Sequence, residues 1–379
     1  MGHRISESQI AAFRLARHHL TDHPADERRA PLTGVCGDVC GVQAQVMSAA
    51  ETSLWARRPG TTREELRAAL SDHRTLVRTA CMRETLHLVP AADFGIITAA
   101  LRTSRSRRTL QIMARYGVSP EDTRRVTDAV MEALSAGPLE KRELTAHVLG
   151  RNLVRGRSRK WFELSSWGVA RRAIVEGRVC YGPARGGDAR LVLADQWLGK
   201  QEAVPEQEAQ RVLLRRYLSA YGPATVRDFA KWSGLAMNEA QAAWAAAAEE
   251  FAEVAVEHGT ASVLRRDLES LRHSSLDRQV VRLLPNFDAY LLAHASKDHL
   301  VERTAYKRVY RNQGWISAVV LVDGRVAGTW STLRRARRLV FEIAPFATFS
   351  KRVGAKVESE CAGLAEFLGL AWDMDVAQS

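Results

Sequence analysis

Two glutamines two residues apart, Gln43 and Gln45 in the stretch Gly41-Val42-Gln43-Ala44-Gln45, are the side chains of this 379-residue chain whose type and spacing could act together. A carboxamide both donates and accepts hydrogen bonds, so a pair on one face could hold and orient a water. In a helix each residue turns by about 100°, which sends positions i and i+2 to nearly opposite sides. In an extended segment the same two side chains share a face. The pair therefore needs a short extended connection, and Gly41 is suited to end the helix before it. Two solvated glutamines would look the same in isolation, so the motif takes its meaning from the rest of the chain.

Other residues that could do chemistry are few. His87 lies in a predicted strand with Leu86 and Leu88 on the opposite face. It reads as a satisfied structural histidine, with a place beside the substrate as the alternative. Asp288, in Leu284-Pro285-Asn286-Phe287-Asp288-Ala289-Tyr290, is either a buried carboxylate acting on a water or the cap of the turn before Tyr290; its position favours the cap. The sequence holds no phosphate loop, no dinucleotide glycine pattern, no Cys/His zinc set and no serine nucleophile elbow. No cofactor and no metal are expected. Five scattered cysteines (Cys36, Cys40, Cys81, Cys180, Cys361) read as reduced core residues of a cytoplasmic protein.

Charge points to a polyanion. Fifty-five Lys and Arg against forty-three Asp and Glu give a net charge of +12, and arginine forks onto phosphate. The candidate contacts are Arg102 and Arg105 on a long helix, then Arg151, Arg155, Arg157, Arg159 and Lys160 around Gly156, and finally Arg334, Arg335, Arg337 and Arg338. Such contacts give salt-sensitive affinity without reading bases. An arginine-rich coding composition with solvated basic faces is the competing explanation. No apolar run is long enough to cross a membrane, and the first residues lack the apolar core of a signal peptide.

The elements that must position these residues follow from pattern. Residues 6–20 form an amphipathic helix capped by Ser6, 32–39 a second that leads into the glutamines, and 47–58 a third stopped by Pro59-Gly60. Thr61-Thr62-Arg63-Glu64-Glu65 starts a fourth with a capping-box pattern. Residues 76–82 and 85–89 then alternate like paired strands about Arg83-Glu84. Helices followed by such a hairpin make a winged helix-turn-helix.

The pattern recurs. A helix over 90–115, a start at Ser119-Pro120, helices over 139–150 and 160–176, and a wing at 179–181 and 191–193 form a second unit. A third has helices over 207–221, 225–233 and 237–250 and a wing at 251–256 and 262–266. Strands at 280–284, 316–322, 326–330 and 339–343, with an Asp323-Gly324 turn, precede a closing helix over 349–368. The expected fold is mainly α with β-hairpin wings, an α+β chain. Its divisions are winged-helix units over 1–90, 91–200 and 201–275, then a β-rich region over 276–379. The alanine-rich helix of the third unit, with Glu239, Glu249 and Glu250, suits a scaffold better than a groove reader.

Three blocks together, Val42-Gln43-Ala44-Gln45, Leu54-Trp55-Ala56-Arg57 and Arg83-Glu84-Thr85-Leu86-His87-Leu88-Val89, resemble the AlkZ/YcaQ family of bacterial winged-helix DNA glycosylases. So do Tyr221-Gly222-Pro223-Ala224-Thr225, Leu284-Pro285-Asn286-Phe287-Asp288 and the stretch from Val320 through Asp323-Gly324 to Trp330. The resemblance spans nearly the whole chain in order. It implies tandem winged helices in a C-shape around double-stranded DNA, a monomer, and a Gln-apolar-Gln motif as the catalytic centre, with Gln43 and Gln45 in those positions. A Gln-x-Asp motif would resemble the YcaQ branch; the second glutamine brings this sequence nearer AlkZ. That branch is associated with excision of bulky N7-alkylguanine, unhooking of interstrand crosslinks, and self-resistance in producers of DNA-alkylating antibiotics.

Amide chemistry agrees. Glutamine is no general base at neutral pH, but an N7-alkylguanine is already cationic and leaves without protonation. Positioning water and stabilising an oxocarbenium-like sugar then suffices. No lysine is implicated, so hydrolysis without strand cleavage is expected, and the tolerance for crosslinks in the family it resembles implies a site more open than a base-flipping pocket. The alternative is a non-enzymatic winged-helix DNA-binding protein or regulator. The expected location is the cytoplasm, with the nucleoid.

Overall fold

The computed structural model describes residues 3–21, 30–165, 168–185, 188–257, 259–336 and 338–377. Helices begin where the caps predict. Ser6 caps Glu7–Arg17 and Ser119 caps Pro120–Ser135, while Thr62 accepts from the Glu65 N–H at the start of Arg63–Arg67. Thr225 closes a capping box with Asp228 on Val226–Ser233. Each satisfies a backbone donor left open in a first helical turn.

Sheet pairing goes beyond consecutive hairpins. The wings of the first two units form one six-stranded sheet in the order Val42–Gln43, Leu86–Pro90, Leu76–Ala80, Val179–Arg185, Asp188–Leu193, Leu139–Glu140. The units join at Arg78 opposite Tyr181, where the Arg78 guanidinium lies 5.3 Å from the Tyr181 ring centroid. The third unit's wing, Phe251–Val256 with Gly259–Leu264, takes a third strand from His3–Arg4, which pairs parallel to Val254 and Ala255. The C-terminal sheet runs Val281–Leu284, Val319–Val322, Arg325–Arg335, Arg338–Pro345, Ala371–Val376, and helix Lys351–Leu368 packs on it through Val357, Cys361 and Leu364.

Three expectations are corrected. The helix expected over 160–176 is two, Gly156–Leu164 and Arg171–Val175, because Ser165 is extended and Gly168 has φ +52°, which a continuous helix excludes. The helix expected over 237–250 ends at Ala246, with one tighter turn over Ala248–Glu250. The strands expected over 326–330 and 339–343 are longer, Arg325–Arg335 and Arg338–Pro345, and take in the arginines between them. Arg335 pairs with Arg338, and Ala336 has φ +55°, so they form the tip of a long hairpin. Arg337 lies outside the described residues. All five cysteines are buried and unpaired.

Candidate active site

Gly41 has φ +90°, and a Cβ there would sit 2.7 Å from Val89 Cγ1 and 2.8 Å from the Leu88 carbonyl oxygen. Only glycine can end the helix Leu32–Asp38 so close to the neighbouring strand. The chain then enters the extended conformation that the glutamine spacing requires. Val42 pairs with Leu88, Gln43 with His87, and the Ala44 N–H donates to the Leu86 carbonyl at 2.6 Å. Arg78 Nε donates to the Ala44 carbonyl at 3.1 Å, so both sides of that residue's backbone are held.

Val42 and Ala44 are fully buried in one apolar cluster with Leu54 and Leu88. Alternation therefore puts Gln43 and Gln45 on the opposite face. Gln43 is 7% exposed and Gln45 is exposed.

The surroundings of Gln43 fix its orientation. Its Oε1 accepts from Arg83 Nη2 at 3.1 Å and from Thr85 Oγ1 at 3.3 Å. Arginine has only donors, so the amide oxygen must face Arg83. The amide NH2, with no protein partner among the described residues, points the other way. Gln45 differs: its Oε1 accepts from the Leu86 N–H at 3.4 Å, a long bond that leaves a lone pair open.

Arg83 is the hub that sequence reasoning missed. It occupies the hairpin turn with φ +55°, and its Nη1 donates to the Trp232 carbonyl at 2.7 Å, tying the first unit to the third. Gly234, just after Trp232, has φ +81°, and a Cβ there would lie 3.0 Å from the Arg83 N. Burial pushes the Arg83 guanidinium down to a pKa of about 10. No carboxylate forms an ion pair with it among the described residues. Nothing local in the sequence separates this arginine from a solvated turn residue.

His87 is buried, with Nδ1 3.0 Å from the Thr85 carbonyl and Nε2 3.5 Å from Arg83 Nη2. Since the carbonyl can only accept, Nδ1 carries the hydrogen. Burial, reinforced by the Arg83 charge, holds the imidazole pKa down at about 3. It is a neutral structural support behind Gln43. Asp288 is 1% exposed and both caps and pairs. It accepts from the Tyr290 N–H at 3.0 Å, takes Arg57 bidentately at 2.7 and 2.8 Å, and takes Ser53 Oγ at 2.7 Å.

A cleft of about 880 Å³ begins at Val46, the residue after Gln45, and is walled by Val46, Ser48 and Thr52 on one side and by Asn286, Arg308, Arg311 and Trp315 on the other. Trp315 is 43% exposed, its ring edge-on to Phe287.

The basic candidates scatter. Arg102, Arg155, Arg157 and Lys160 are exposed, with Arg157 5.6 Å from the Tyr116 ring centroid. Arg334 and Arg335 are exposed at the hairpin tip. Arg151 is engaged bidentately by Glu132, Arg159 by Glu163 and the Leu149 carbonyl, and Arg338 by Asp373. Arg105 is a correction: it is 5% exposed and sits inside near Cys81 and Glu84, out of reach of a phosphate.

Comparison with known proteins bears on what this arrangement does. A family model described as DNA glycosylase AlkZ-like matches residues 37–367. A glycosylase of Streptomyces sahachiroi described as acting in interstrand DNA cross-link repair is 32% identical over 376 residues, covering 97% of this chain and 98% of that protein. The solved structure of the Streptomyces sahachiroi DNA glycosylase AlkZ superposes with a TM-score of 0.84 at 28% identity, covering 99% of this chain and all of that one.

Proposed function

The chain belongs to the family of AlkZ-like DNA glycosylases, and from that premise we propose that it hydrolyses the glycosidic bond of bulky, cationic N7-alkylguanine adducts in double-stranded DNA, unhooking interstrand crosslinks. As a DNA glycosylase it is an enzyme, which removes the purely regulatory alternative. The observation that carries the substrate class is the Gln43 amide, whose oxygen is tied to Arg83 and Thr85.

The carboxamides divide the work. Gln43 offers N–H donors outward. Gln45, with its spare lone pair, accepts a hydrogen bond from the attacking water and so aims the water's oxygen at C1′. Neither takes up a proton, and His87, held at about 3, supplies none at neutral pH. Such a site cannot protonate a leaving base, which confines it to bases already charged. Breaking the bond of a cationic N7-alkylguanine releases a neutral purine, its electron pair leaving with the base, and water adds to the C1′ of the sugar and loses its proton to solvent. The cleft that begins at Val46, next in the chain to Gln45, gives room for a bulky adduct without enclosing it. Exposed Arg102, Arg155, Arg157, Lys160, Arg334 and Arg335 are the proposed backbone contacts, and the working form is a monomer.

The test is release of the base from duplex DNA carrying N7-alkylguanine, where spontaneous loss is slow. Wild type should leave abasic sites, and Gln43→Ala and Gln45→Ala should each be slower by about 10²–10³-fold with unchanged melting curves. Equal rates in all three would refute the assignment.

A further inference from the structure

Lys297 is placed by the third unit. In its loop the Ala295 N–H donates to Asp228 Oδ1 at 2.8 Å, and Asp228 stands in the first turn of helix Val226–Ser233. One turn along, on the same helix face, the Trp232 carbonyl accepts from Arg83 at 2.7 Å. A single helix face thus holds both the Lys297 loop and the arginine bonded to Gln43. Lys231, exposed, lies on the same helix. The Lys297 ammonium sits 5.5 Å from the Tyr310 ring centroid.

Three cations therefore gather around this helix, Arg83 bonded to Gln43 and the two lysines close enough to feel one another, and among the described residues none forms an ion pair with a carboxylate. Asp228 is the one acid that favours the Lys297 ammonium, a single carboxylate facing several cations, and its oxygens already hold backbone and hydroxyl donors. Oδ1 takes the Ala295 N–H, while Oδ2 takes the Thr225 N–H at 2.9 Å and Thr225 Oγ1 at 2.6 Å. Gathering more positive than negative charge around a buried amine is costly, and a bound anion offsets that excess. Burial, with the Arg83 charge next, holds the Lys297 amine down at about 7. The groups facing it are Arg83 from the hairpin turn, Asp228 and Lys231 from the helix, Arg14 from the first helix, Tyr310 beyond, and His299 on its own loop. Of these only Asp228 favours the ammonium.

We propose that Lys297 and Lys231, backed by Arg83, seat one DNA backbone phosphate and so set the damaged nucleotide against Gln43. This rests on the DNA glycosylase reading. The arriving phosphate supplies the missing negative charge and restores the amine's preference for its proton, so DNA binding takes up a proton at neutral pH and above.

The test is the affinity of the full chain for a plain duplex between pH 6 and 9, by fluorescence anisotropy. Wild-type Kd should be flat below pH 7 and weaken above it by up to about tenfold per pH unit. Lys297→Arg, charged throughout, should lack that limb. Lys297→Met should bind more weakly at pH 6 with a salt slope reduced by about one, and Lys231→Ala should reduce the slope while moving the alkaline limb to higher pH, since a cation that disfavours the Lys297 ammonium is gone. Superimposable profiles for wild type and Lys297→Arg, or an unchanged slope in folded Lys297→Met, overturn the proposal. The two readings fail separately. Normal base release by Gln43→Ala would sink the catalytic assignment while leaving the phosphate seat, whereas a wild-type chain that binds no duplex would sink both.

Discussion

At the scale of single residues, the first unit is locked to the C-terminal region by the Arg57–Asp288 pair, with both side chains fully buried. Neither partner can be removed cheaply, because the other would stay behind as an uncompensated charge. Asp288→Ala should lower unfolding free energy by about 3–5 kcal/mol in urea titrations; a loss below about 1 kcal/mol would mean the pair is solvated. Histidines set the acid limit. Burial holds His87 at about 3 and keeps His18, His294 and His299 well below the ordinary value of 6.5. The unfolded chain binds protons that the folded chain refuses, so this contribution is complete above pH 6.5 and lost as pH falls toward 3. Urea midpoints measured between pH 4 and 8 should fall steeply on the acid side. His87→Gln should make that limb shallower by about one proton, and an unchanged slope would show that His87 titrates normally.

At the scale of elements, the caps and turns were legible because each is a local rule: Ser6, Ser119 and Thr225 start helices, and Asp323-Gly324 reverses a hairpin. The extended state of Gln43 was legible for the same reason, since spacing alone demands it. The strand Ala371–Val376 went unread although Trp372, Met374 and Val376 alternate with Asp373 and Asp375; it follows a helix closely, and parallel pairing carries no turn signal. His3–Arg4 is too short for any periodicity. Arg83 and Lys297 were invisible because their neighbours, Trp232 and Asp228, are far away in sequence. The contact between the Arg83 turn and Gly234 gives a prediction at this scale. Gly234→Ala strains a left-handed position and crowds the Arg83 backbone, so it should destabilise by about 1 kcal/mol or more and slow base release beyond that loss. Normal turnover at full occupancy of the folded state would show that the turn tolerates the shift.

At the scale of the whole molecule, the basic excess is not one patch. Several arginines expected on a polyanion are instead held by carboxylates, as Arg151 is by Glu132 and Arg338 by Asp373. Charge counting sees the sum and not the pairing. The exposed hairpin tip tests what remains. Replacing Arg334 and Arg335 together by Ser should reduce the salt slope of DNA binding by about two, while Arg338→Ser should change it less because its charge is already spent on Asp373. A double variant with the wild-type slope would remove the tip from the DNA.

The strand His3–Arg4 finds its partners at Val254 and Ala255, and this sets an order of events during synthesis. This strand cannot close its ladder until most of the third unit, far later in the chain, has left the ribosome. Until then the helix Glu7–Arg17, whose Arg14 donates to the Tyr221 and Pro223 carbonyls, lacks its docking surface. Long-range closure of this kind is slow. The nascent chain therefore carries this strand unpaired while the two intervening units are made, a window in which a chaperone has something to hold.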